Sequence, residues 1–338
     1  MYDQNVSVAV TGAAGFIGSR VVKRLQDEHP TWSIIALDNF YRGGVRRIGD
    51  VEIQHLDVRQ RHELEKALSG ADIVMHLAAI SGVDDCTEQP DLAYDVNVTG
   101  TTNVAWFCRK TGTGLVFPSS MAVLGDPDSF PVTVGDSRAP MNWYGRTKLL
   151  GERAIEAFET DAFPAHLFIK SNLYGEHEID GRRVSKGTVI NFFVDRALAN
   201  EPLTVYQPGS QARNYVHVDD VAQAYVRSAE RMREQLADEE VGLEKYEIAS
   251  NEDPSVITIA ETVRRLAREE LGYEVDISLV DNPRGGETLV EDFTVDISTA
   301  RDRLGWQPQH TVEESIRTLL RANAEATPEE ERIDQAIR

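Results

Sequence analysis

Lysine is scarce in this chain, and acidic residues outnumber basic residues. Only 7 of the 35 basic residues are lysine, and 56 acidic residues leave a formal charge of −21. The field of such a chain repels nucleic acid and anionic membranes, so we expect neither as a partner. An acidic substrate would need a locally basic pocket.

The acidic surplus has two interpretations. Excess carboxylate with little lysine is typical of proteins from salt-loving archaea, whose surfaces stay soluble when salt screens long-range repulsion. This interpretation predicts a halophilic protein. An acidic protein from a low-salt cell is the alternative.

Cysteine is almost absent, and long apolar runs are lacking. Cys86 and Cys108 are too few for a disulfide framework and lack metal-ligand spacing, so we expect no metal site and a reducing compartment. No stretch approaches the ~20 apolar residues of a membrane span. The first residues also lack the basic start and apolar segment of a secretion signal. These absences predict a cytoplasmic protein.

Short β-branched runs alternate with amphipathic segments through the first half of the chain. The predicted strands cover residues 6–11, 33–38, 51–56, 72–77, 114–119 and 165–170. Because parallel neighbours need crossover connections, this alternation predicts an α/β fold with a doubly wound parallel sheet of the Rossmann type. A smaller mixed α/β lobe would follow, after a predicted turn at Arg182 and Arg183.

These patterns predict two lobes. Residues 1–175 would form the dinucleotide-binding domain, to which the segment 218–249 returns. The substrate-binding lobe would comprise 176–217 and 250–324, with predicted helices at about 188–200, 258–272 and 311–324. Residues 325–338 are predicted to be an acidic, solvated tail.

A glycine-rich turn follows the first predicted strand. Gly12, Gly15 and Gly18 have the spacing G-x-x-G-x-x-G and open a helix, which lets backbone amides approach a pyrophosphate at the positive end of that helix. Taken alone, such a turn could be purely structural. Asp38 ends the second strand about twenty residues further on, where a carboxylate binds both ribose hydroxyls. The glycine-rich turn and Asp38 together favour NAD over NADP.

Two nearby residues leave alternatives open. Arg42 could receive the 2′-phosphate that distinguishes NADP, which opposes the preference set by Asp38. Asp57 follows the third strand and could accept a hydrogen bond from the adenine amino group, or it could cap the next helix. The sequence does not decide between these roles.

The candidate catalytic residues lie after the fifth strand. Tyr144 and Lys148 are four residues apart on a predicted helix and therefore share a face. A phenol has a reference pKa of about 10, which a nearby ammonium and a cationic nicotinamide ring would lower. Ser120 ends the strand and could bridge the substrate oxygen and Tyr144. Ser119 is a candidate positioning residue, although either serine could simply satisfy the strand end.

These motifs, in this order, resemble those of the extended short-chain dehydrogenases/reductases, in their NAD-dependent nucleotide-sugar epimerase/dehydratase group. The resemblance spans about residues 6–324. Besides the features above, its marks are Leu77-Ala78-Ala79, Asn97-Val98-Thr99-Gly100-Thr101, Asn172-Leu173-Tyr174-Gly175, the segments 213–221 and 284–287, and Leu304-Gly305-Trp306.

The resemblance implies a role for each matching residue. It implies that the pyrophosphate is held by Gly12, Gly15, Phe16, Ile17 and Gly18, the ribose by Asp38 and Asn39, and adenine by Asp57 and Val58. It places Leu77, Ala78 and Ala79 along the dinucleotide, with Asn97 and Ser119 supporting strand ends and Lys148 also at the nicotinamide ribose. It implies catalytic roles for Ser120, Tyr144 and Lys148, and substrate contacts for Ser120, Asn172, Arg213 and Arg284. His217, Asp219 and Asp220 are interpreted as the start and cap of the returning helix.

The residues after Ser120 bear on the reaction. Dehydratases of this group place an acidic pair there and decarboxylases a glutamate, whereas this chain has Met121 and Ala122. Epimerisation needs no such group. The resemblance therefore implies an NAD-dependent nucleotide-sugar epimerase, with enzymes acting on UDP-hexoses as the nearest functional model.

Two alternatives share the same scaffold. One is an NAD-dependent sugar or uronate dehydrogenase that releases NADH, and the other is a dinucleotide-sensing protein without turnover. The resemblance also implies a homodimer, because the group often packs two helices from each subunit into a four-helix bundle. The corresponding helices are predicted at about 91–110 and 142–158.

Overall fold

The computed structural model describes residues 5–283, 289–324 and 333–334. In chain order its strands are β1 (Ser7–Thr11), β2 (Ser33–Asp38), β3 (Arg47–Ile48), β4 (Val51–Glu52), β5 (Gln54–His55), β6 (Ile73–His76), β7 (Gly114–Pro118), β8 (Pro164–Lys170), β9 (Asn172–Tyr174), β10 (His177–Ile179), β11 (Arg182–Ser185), β12 (Leu203–Tyr206), β13 (Tyr215–His217), β14 (Gly242–Ile248), β15 (Ile277–Val280) and β16 (Ile333–Asp334).

The helices alternate with these strands. They are α1 (Phe16–Glu28), α2 (Arg61–Ala67), α3 (Val83–Glu88), α4 (Pro90–Tyr94), α5 (Thr101–Thr111), α6 (Trp143–Glu159), α7 (Val189–Leu198), α8 (Val218–Ala237), α9 (Val256–Leu271), α10 (Ser298–Leu304) and α11 (Val312–Ala324). A π-helical turn, Asp95–Gly100, joins α4 to α5, and a 3₁₀ turn, Met121–Val123, follows β7. Within the described residues no helix is both long and apolar enough to cross a membrane.

A seven-stranded parallel sheet forms the centre of the molecule. Its strand order is β14-β8-β7-β6-β1-β2-β5. On one face α1 and α8 share a core that includes Val22, Leu25 and Tyr225, and on the other α5 and α6 share one with Phe107 and Ile155. The predicted α/β fold with a doubly wound parallel sheet is confirmed. Because the chain leaves β1 for β2 on one side and returns to β6 on the other, a cleft opens at the carboxyl end of β1.

The remaining elements pack beside the carboxyl ends of the central strands. Helices α7, α9 and α11 enclose a separate apolar cluster with β12 and β15, which pair in parallel. Strand β13 pairs in parallel with β9, and β14 joins the central sheet next to β8. The central sheet therefore forms one wall of the cleft, and β9, β13 and α7 form the other.

Two segments differ from the sequence-based predictions. The strand predicted over residues 51–56 is divided, because β4 turns back to pair antiparallel with β3 and only β5 joins the central sheet. The predicted turn at Arg182 and Arg183 is wrong, since both residues lie in β11, which pairs antiparallel with β10. The turn lies instead at Asp180 and Gly181, with φ of 49° and 79°. Two successive positive φ values are what a two-residue hairpin requires.

Candidate active site

A cavity of about 840 Å³ runs along the carboxyl ends of the central strands. Its walls include the glycine turn after β1, the end of β7, the first turns of α6 and the segment before α7. This volume is within the range that small-molecule and cofactor sites occupy. Most residues predicted to bind cofactor or substrate line it: Gly12, Gly15, Phe16, Ile17, Gly18, Asp38, Asn39, Val58, Leu77, Ala78, Ala79, Ser119, Ser120, Tyr144, Lys148, Asn172 and Arg213.

The glycine turn leaves room for a ligand against the backbone. Gly12 has a φ of 74°, and a Cβ there would lie 2.6 Å from the backbone nitrogen of Ala78. A Cβ at Gly18 would overlap the carbonyl oxygen of Gly12, so neither position accepts a side chain. Helix α1 begins at Phe16 and directs its N-terminal amides toward the cavity edge. These residues fit the pyrophosphate of a dinucleotide.

Asp38 is fixed at the end of β2 by the backbone. Its carboxylate accepts hydrogen bonds from the amide of Ala14, at 3.0 Å, and from the amide of Phe40, at 2.7 Å. Burial raises the pKa of Asp38, and the same two amides oppose that rise. An oriented carboxylate at this place fits the ribose diol of a dinucleotide.

The two ambiguous residues near the adenosine end each have a partner. The guanidinium of Arg42 lies 2.5 Å from a carboxylate oxygen of Asp85, so a 2′-phosphate would compete with that carboxylate. Arg59 donates to both oxygens of Asp57, at 2.9 and 2.6 Å, and its hydrogen bond lowers the pKa of Asp57. The Asp57 carboxylate also accepts the amide of Arg59 at 3.0 Å, but this turn precedes α2, whose N-cap is Gln60 and has no side-chain cap.

We expect Asp38→Asn to weaken NAD binding by about tenfold or more, because a charge-assisted hydrogen bond contributes roughly 1.5–3 kcal/mol. Discrimination against NADP should relax, since the charge that repels a 2′-phosphate is lost. Titrations of the cofactor-stripped chain with NAD and NADP would measure both effects. The exposed Asp50 provides a matched control, because Asp50→Asn should change neither affinity. Unchanged NAD affinity in Asp38→Asn would contradict the assignment.

Tyr144, Ser120 and Lys148 all line the cavity. Asn142 caps α6 by accepting the amide of Gly145 at 2.9 Å, which sets Tyr144 in the first turn and Lys148 one turn later. Ser120 lies close enough to Tyr144 for its side chain to lower the pKa of the phenol, and Ser120 Oγ accepts the amide of Ala122 at 3.2 Å. The structure therefore brings the three predicted catalytic residues together.

The protonation of this group differs from the sequence-based expectation. Burial raises the pKa of Tyr144 to about 12, and the hydrogen bond with Ser120 only partly opposes it. Burial also lowers the pKa of Lys148 to about 8, although its Nζ donates to the carbonyl of Pro118 at 2.9 Å. The protein side chains alone keep the phenol protonated. A further positive charge, such as the cationic nicotinamide ring, is needed to favour the phenolate.

Residues behind this group support it from buried positions. Asn97, in the π-helical turn, donates to the carbonyl of Ile80 at 2.9 Å and to Thr147 Oγ1 at 3.0 Å, and accepts the Ile80 amide at 2.8 Å. It thereby joins the loop after β6 to α6. Ser119 donates to the buried carboxylate of Glu152, which the sequence analysis missed. Glu152 lies two turns after Tyr144 on α6, so only the register of that helix could have indicated that its carboxylate faces Ser119.

The predicted substrate residues have different outcomes. Asn172 lines the cavity and donates to the carbonyl of Asn214 at 3.2 Å. Arg213 also lines it and donates to the carbonyl of Ala212 at 2.7 Å. Arg284 lies outside the described residues. Two lysines that the sequence analysis did not assign, Lys170 and Lys186, line the same cavity.

A second cluster of ionisable residues lies at the start of α8, outside the cavity. His217 caps the helix by accepting the amide of Asp219 at 3.2 Å, as predicted, and Asp219 pairs with Arg20. The rings of His217 and His310 are stacked, with centroids 4.1 Å apart and planes inclined by 17°. Because imidazole lone pairs lie in the ring plane, nearly parallel rings do not direct them at a common ion. The cluster joins the segment before α11 to α8.

A Rossmann sheet whose cleft holds a serine, a tyrosine and a lysine one helical turn after the tyrosine defines an NAD-dependent enzyme of the short-chain dehydrogenase/reductase class. The chain belongs to the NAD dependent epimerase/dehydratase family, whose model matches residues 8–243. The family resemblance, the enzymatic nature of the protein and NAD as its cofactor are thereby confirmed.

Individual relatives extend along nearly the whole chain. A Methanocaldococcus jannaschii protein, to which UDP-glucose 4-epimerase activity is provisionally assigned, is 31% identical over 320 residues, covering 93% of this chain and 97% of that protein. UDP-glucuronic acid decarboxylase 6 of Arabidopsis thaliana is 26% identical, covering 93% and 88%. The crystal structure of a Bifidobacterium longum UDP-glucose 4-epimerase superposes with a TM-score of 0.80 at 22% identity, covering 94% and 97%, which supports the fold alone.

Proposed function

We propose that the protein is an NAD-dependent nucleotide-sugar epimerase that inverts C4 of a UDP-hexose. The presence of Tyr144 and Ser120 side by side in the cavity carries this proposal. The two residues that follow Ser120, Met121 and Ala122, line the same cavity and have no ionisable side chain. A proton can thus be exchanged at a sugar hydroxyl, while the acid or base that dehydration or decarboxylation adds beyond the serine is lacking there.

The catalytic side chains have separate roles at the reacting carbon. NAD, when bound, supplies the hydride acceptor and donor. Tyr144 takes the proton of the sugar hydroxyl and later returns it, and Ser120 orients the same oxygen by hydrogen bonding. Lys148 adds positive charge beside the phenol, and its Nζ lies over the ring of Phe117, 4.8 Å from the ring centroid. Because oxidation and reduction use the same pair, no net oxidant is consumed.

Incubation of the NAD-loaded protein with UDP-glucose tests this proposal. We expect UDP-galactose to form, as measured by chromatography, without accumulation of NADH absorbance. Stoichiometric release of NADH with an oxidised sugar would instead identify a dehydrogenase of the same fold. Absence of any sugar product, with NAD bound, would contradict the epimerase assignment for this substrate.

The homodimer and the cytoplasmic location stay predictions. The proposed dimer would bring two helical segments of each subunit to the interface: the segment at about 91–110, which comprises α4, the π-helical turn and α5, and α6. Leu150 of α6 is 41% exposed, which is compatible with a covered position in such a bundle.

A further inference from the structure

A buried chain of three polar side chains lies directly behind the catalytic residues. Ser119 Oγ donates to one carboxylate oxygen of Glu152, and Arg138 Nε donates to the other at 3.3 Å. The side chains of Arg138 and Glu152 are only 7% and 1% exposed, and Ser119 is buried as well. Charges removed from water in this way are costly unless every polar atom has a partner, so the partners of each residue matter.

The other donors of Arg138 are satisfied by the backbone. Arg138 lies in the segment between the 3₁₀ turn and α6. Its Nη1 donates to the carbonyl of Asp136, and its Nη2 donates to the carbonyl of Val134 at 3.1 Å. A guanidinium is planar and its donors have a fixed arrangement. Since these contacts engage three of its nitrogens, Arg138 supplies the counter-charge of Glu152 from one defined position.

Glu152 also has a fixed position relative to the catalytic helix. It lies on α6 two turns after Tyr144 and one turn after Lys148, so Lys148 and Glu152 share a face of the helix. Lys148 Nζ donates to the carbonyl of Pro118 at 2.9 Å, and Ser119 donates to Glu152. Two consecutive residues at the end of β7 are thus bound to two consecutive turns of α6.

Ser120 is the next residue along the chain and depends on these two contacts. Its backbone is extended, with φ of −151° and ψ of 150°. Because the Pro118 carbonyl and the Ser119 side chain are both bound to α6, the backbone that leads into Ser120 cannot rotate freely. Ser120 is thereby held where its side chain opposes the rise that burial causes in the pKa of Tyr144.

We propose that Glu152 is a positioning residue, which acts through Ser119 to hold Ser120 in the geometry that proton exchange at the sugar hydroxyl requires. This inference rests on the proposed function and adds a residue to its machinery. Glu152 itself lies outside the lining of the cavity, so it acts only through its neighbours. Without the contact between Ser119 and Glu152, the end of β7 keeps the Lys148 contact alone, and Ser120 can move away from Tyr144.

Steady-state kinetics of the NAD-loaded protein with UDP-glucose test this role. We expect Ser119→Ala to lower kcat by about tenfold or more while KM changes by less than about threefold, because a misplaced catalytic group slows the chemical step without weakening substrate binding. Ser119→Thr keeps a hydroxyl and should retain most of kcat. Ser119→Ala leaves the ion pair of Arg138 and Glu152 intact, and thermal melting checks that each variant folds.

Glu152→Gln completes a double-mutant cycle with Ser119→Ala. It should lower kcat to a similar extent, and the double variant should lose no more than the more affected single variant, because the two residues act as one unit. Glu159→Gln is the matched control, since Glu159 is a buried carboxylate on the same helix, two turns after Glu152. It should leave kcat unchanged.

Crystal structures of the NAD-loaded wild type and Ser119→Ala provide a readout that does not depend on the reaction. We expect Ser120 Oγ to be displaced relative to Tyr144 by about 1 Å or more, a distance large enough to impair catalysis. An unmoved Ser120 would overturn the inference, whichever substrate the protein uses.

The outcomes separate the inference from the proposed function. Unchanged kcat in Ser119→Ala, additive losses in the double variant, or an equal loss in Glu159→Gln would overturn the positioning role. NADH release in place of epimerisation would contradict the proposed function, whereas the same division between kcat and KM, measured on that oxidation, would support the positioning role. If no sugar reacts, the proposed function fails and the crystal structures decide the role of Glu152.

Discussion

Replacing Tyr144 by phenylalanine is expected to lower turnover by about 10² or more, the usual contribution of a positioned acid/base group. Phenylalanine keeps the ring that packs in the cavity wall and removes only the hydroxyl, whose pKa Ser120 lowers. NAD binding should therefore change little. Single-turnover rates measure the first effect, and the cofactor released on denaturation measures the second.

The chain offers a matched control for this substitution. Tyr225 is fully buried in the core between α8 and the sheet, and its hydroxyl has no hydrogen-bond partner in the described structure. Tyr225→Phe removes a buried, unpartnered hydroxyl, so turnover should be retained and stability should not fall. Equal loss of turnover in both variants would indicate a packing effect. Full activity of Tyr144→Phe would remove Tyr144 from the mechanism.

Features that are local in sequence could be predicted well. The glycine turn and the pair of Tyr144 and Lys148 each depend on a few consecutive residues, because the φ of Gly12 and the helical spacing of four are backbone properties. Asp38 could be found from its distance along the chain, since the end of β2 adjoins the turn after β1 in this fold. The family resemblance then assigned the remaining cofactor contacts.

Features that depend on packing between distant segments could not be predicted. Lys148, Lys170 and Lys186 lie on three elements, and nothing in their spacing shows that they share a cavity. The scarcity of lysine was visible, but its concentration at the site required the tertiary structure. Likewise, the pKa of Tyr144 follows from burial, which outweighs the stabilising contacts that the sequence suggested. The sequence left the roles of Arg42 and Asp57 open. Arg42 pairs with Asp85, and Asp57 with Arg59, only in the folded chain.

Acidification is expected to destabilise the protein steeply below about pH 6.5, the reference pKa of histidine. Burial lowers the pKa of His76 and His177 to about 3 and that of His166 and His217 to about 4. Below pH 6.5 the unfolded chain binds protons at these positions while the native chain does not, so the free energy of unfolding falls as pH falls toward 4. Each group contributes up to about 1.4 kcal/mol per pH unit. Urea unfolding at pH 8, 6.5 and 5 measures this slope.

One buried histidine far from the cavity isolates the effect. His166 is hydrogen-bonded to Ser228 Oγ at 2.7 Å and to Gln235 Oε1 at 2.9 Å, with no exposed surface. His166→Gln should reduce the slope between pH 6.5 and 5 by up to one proton, whatever its effect on stability at pH 8. His62→Gln, at an exposed position, is the variant for comparison. His310 has the opposite sign: its hydrogen bond with Asp220 raises its pKa, so its stabilisation is present at low pH and is lost as pH rises through the folded pKa. The four histidines whose pKa is lowered outnumber His310. If the free energy of unfolding stayed level from pH 8 to 5, these four histidines would be protonated in the native protein.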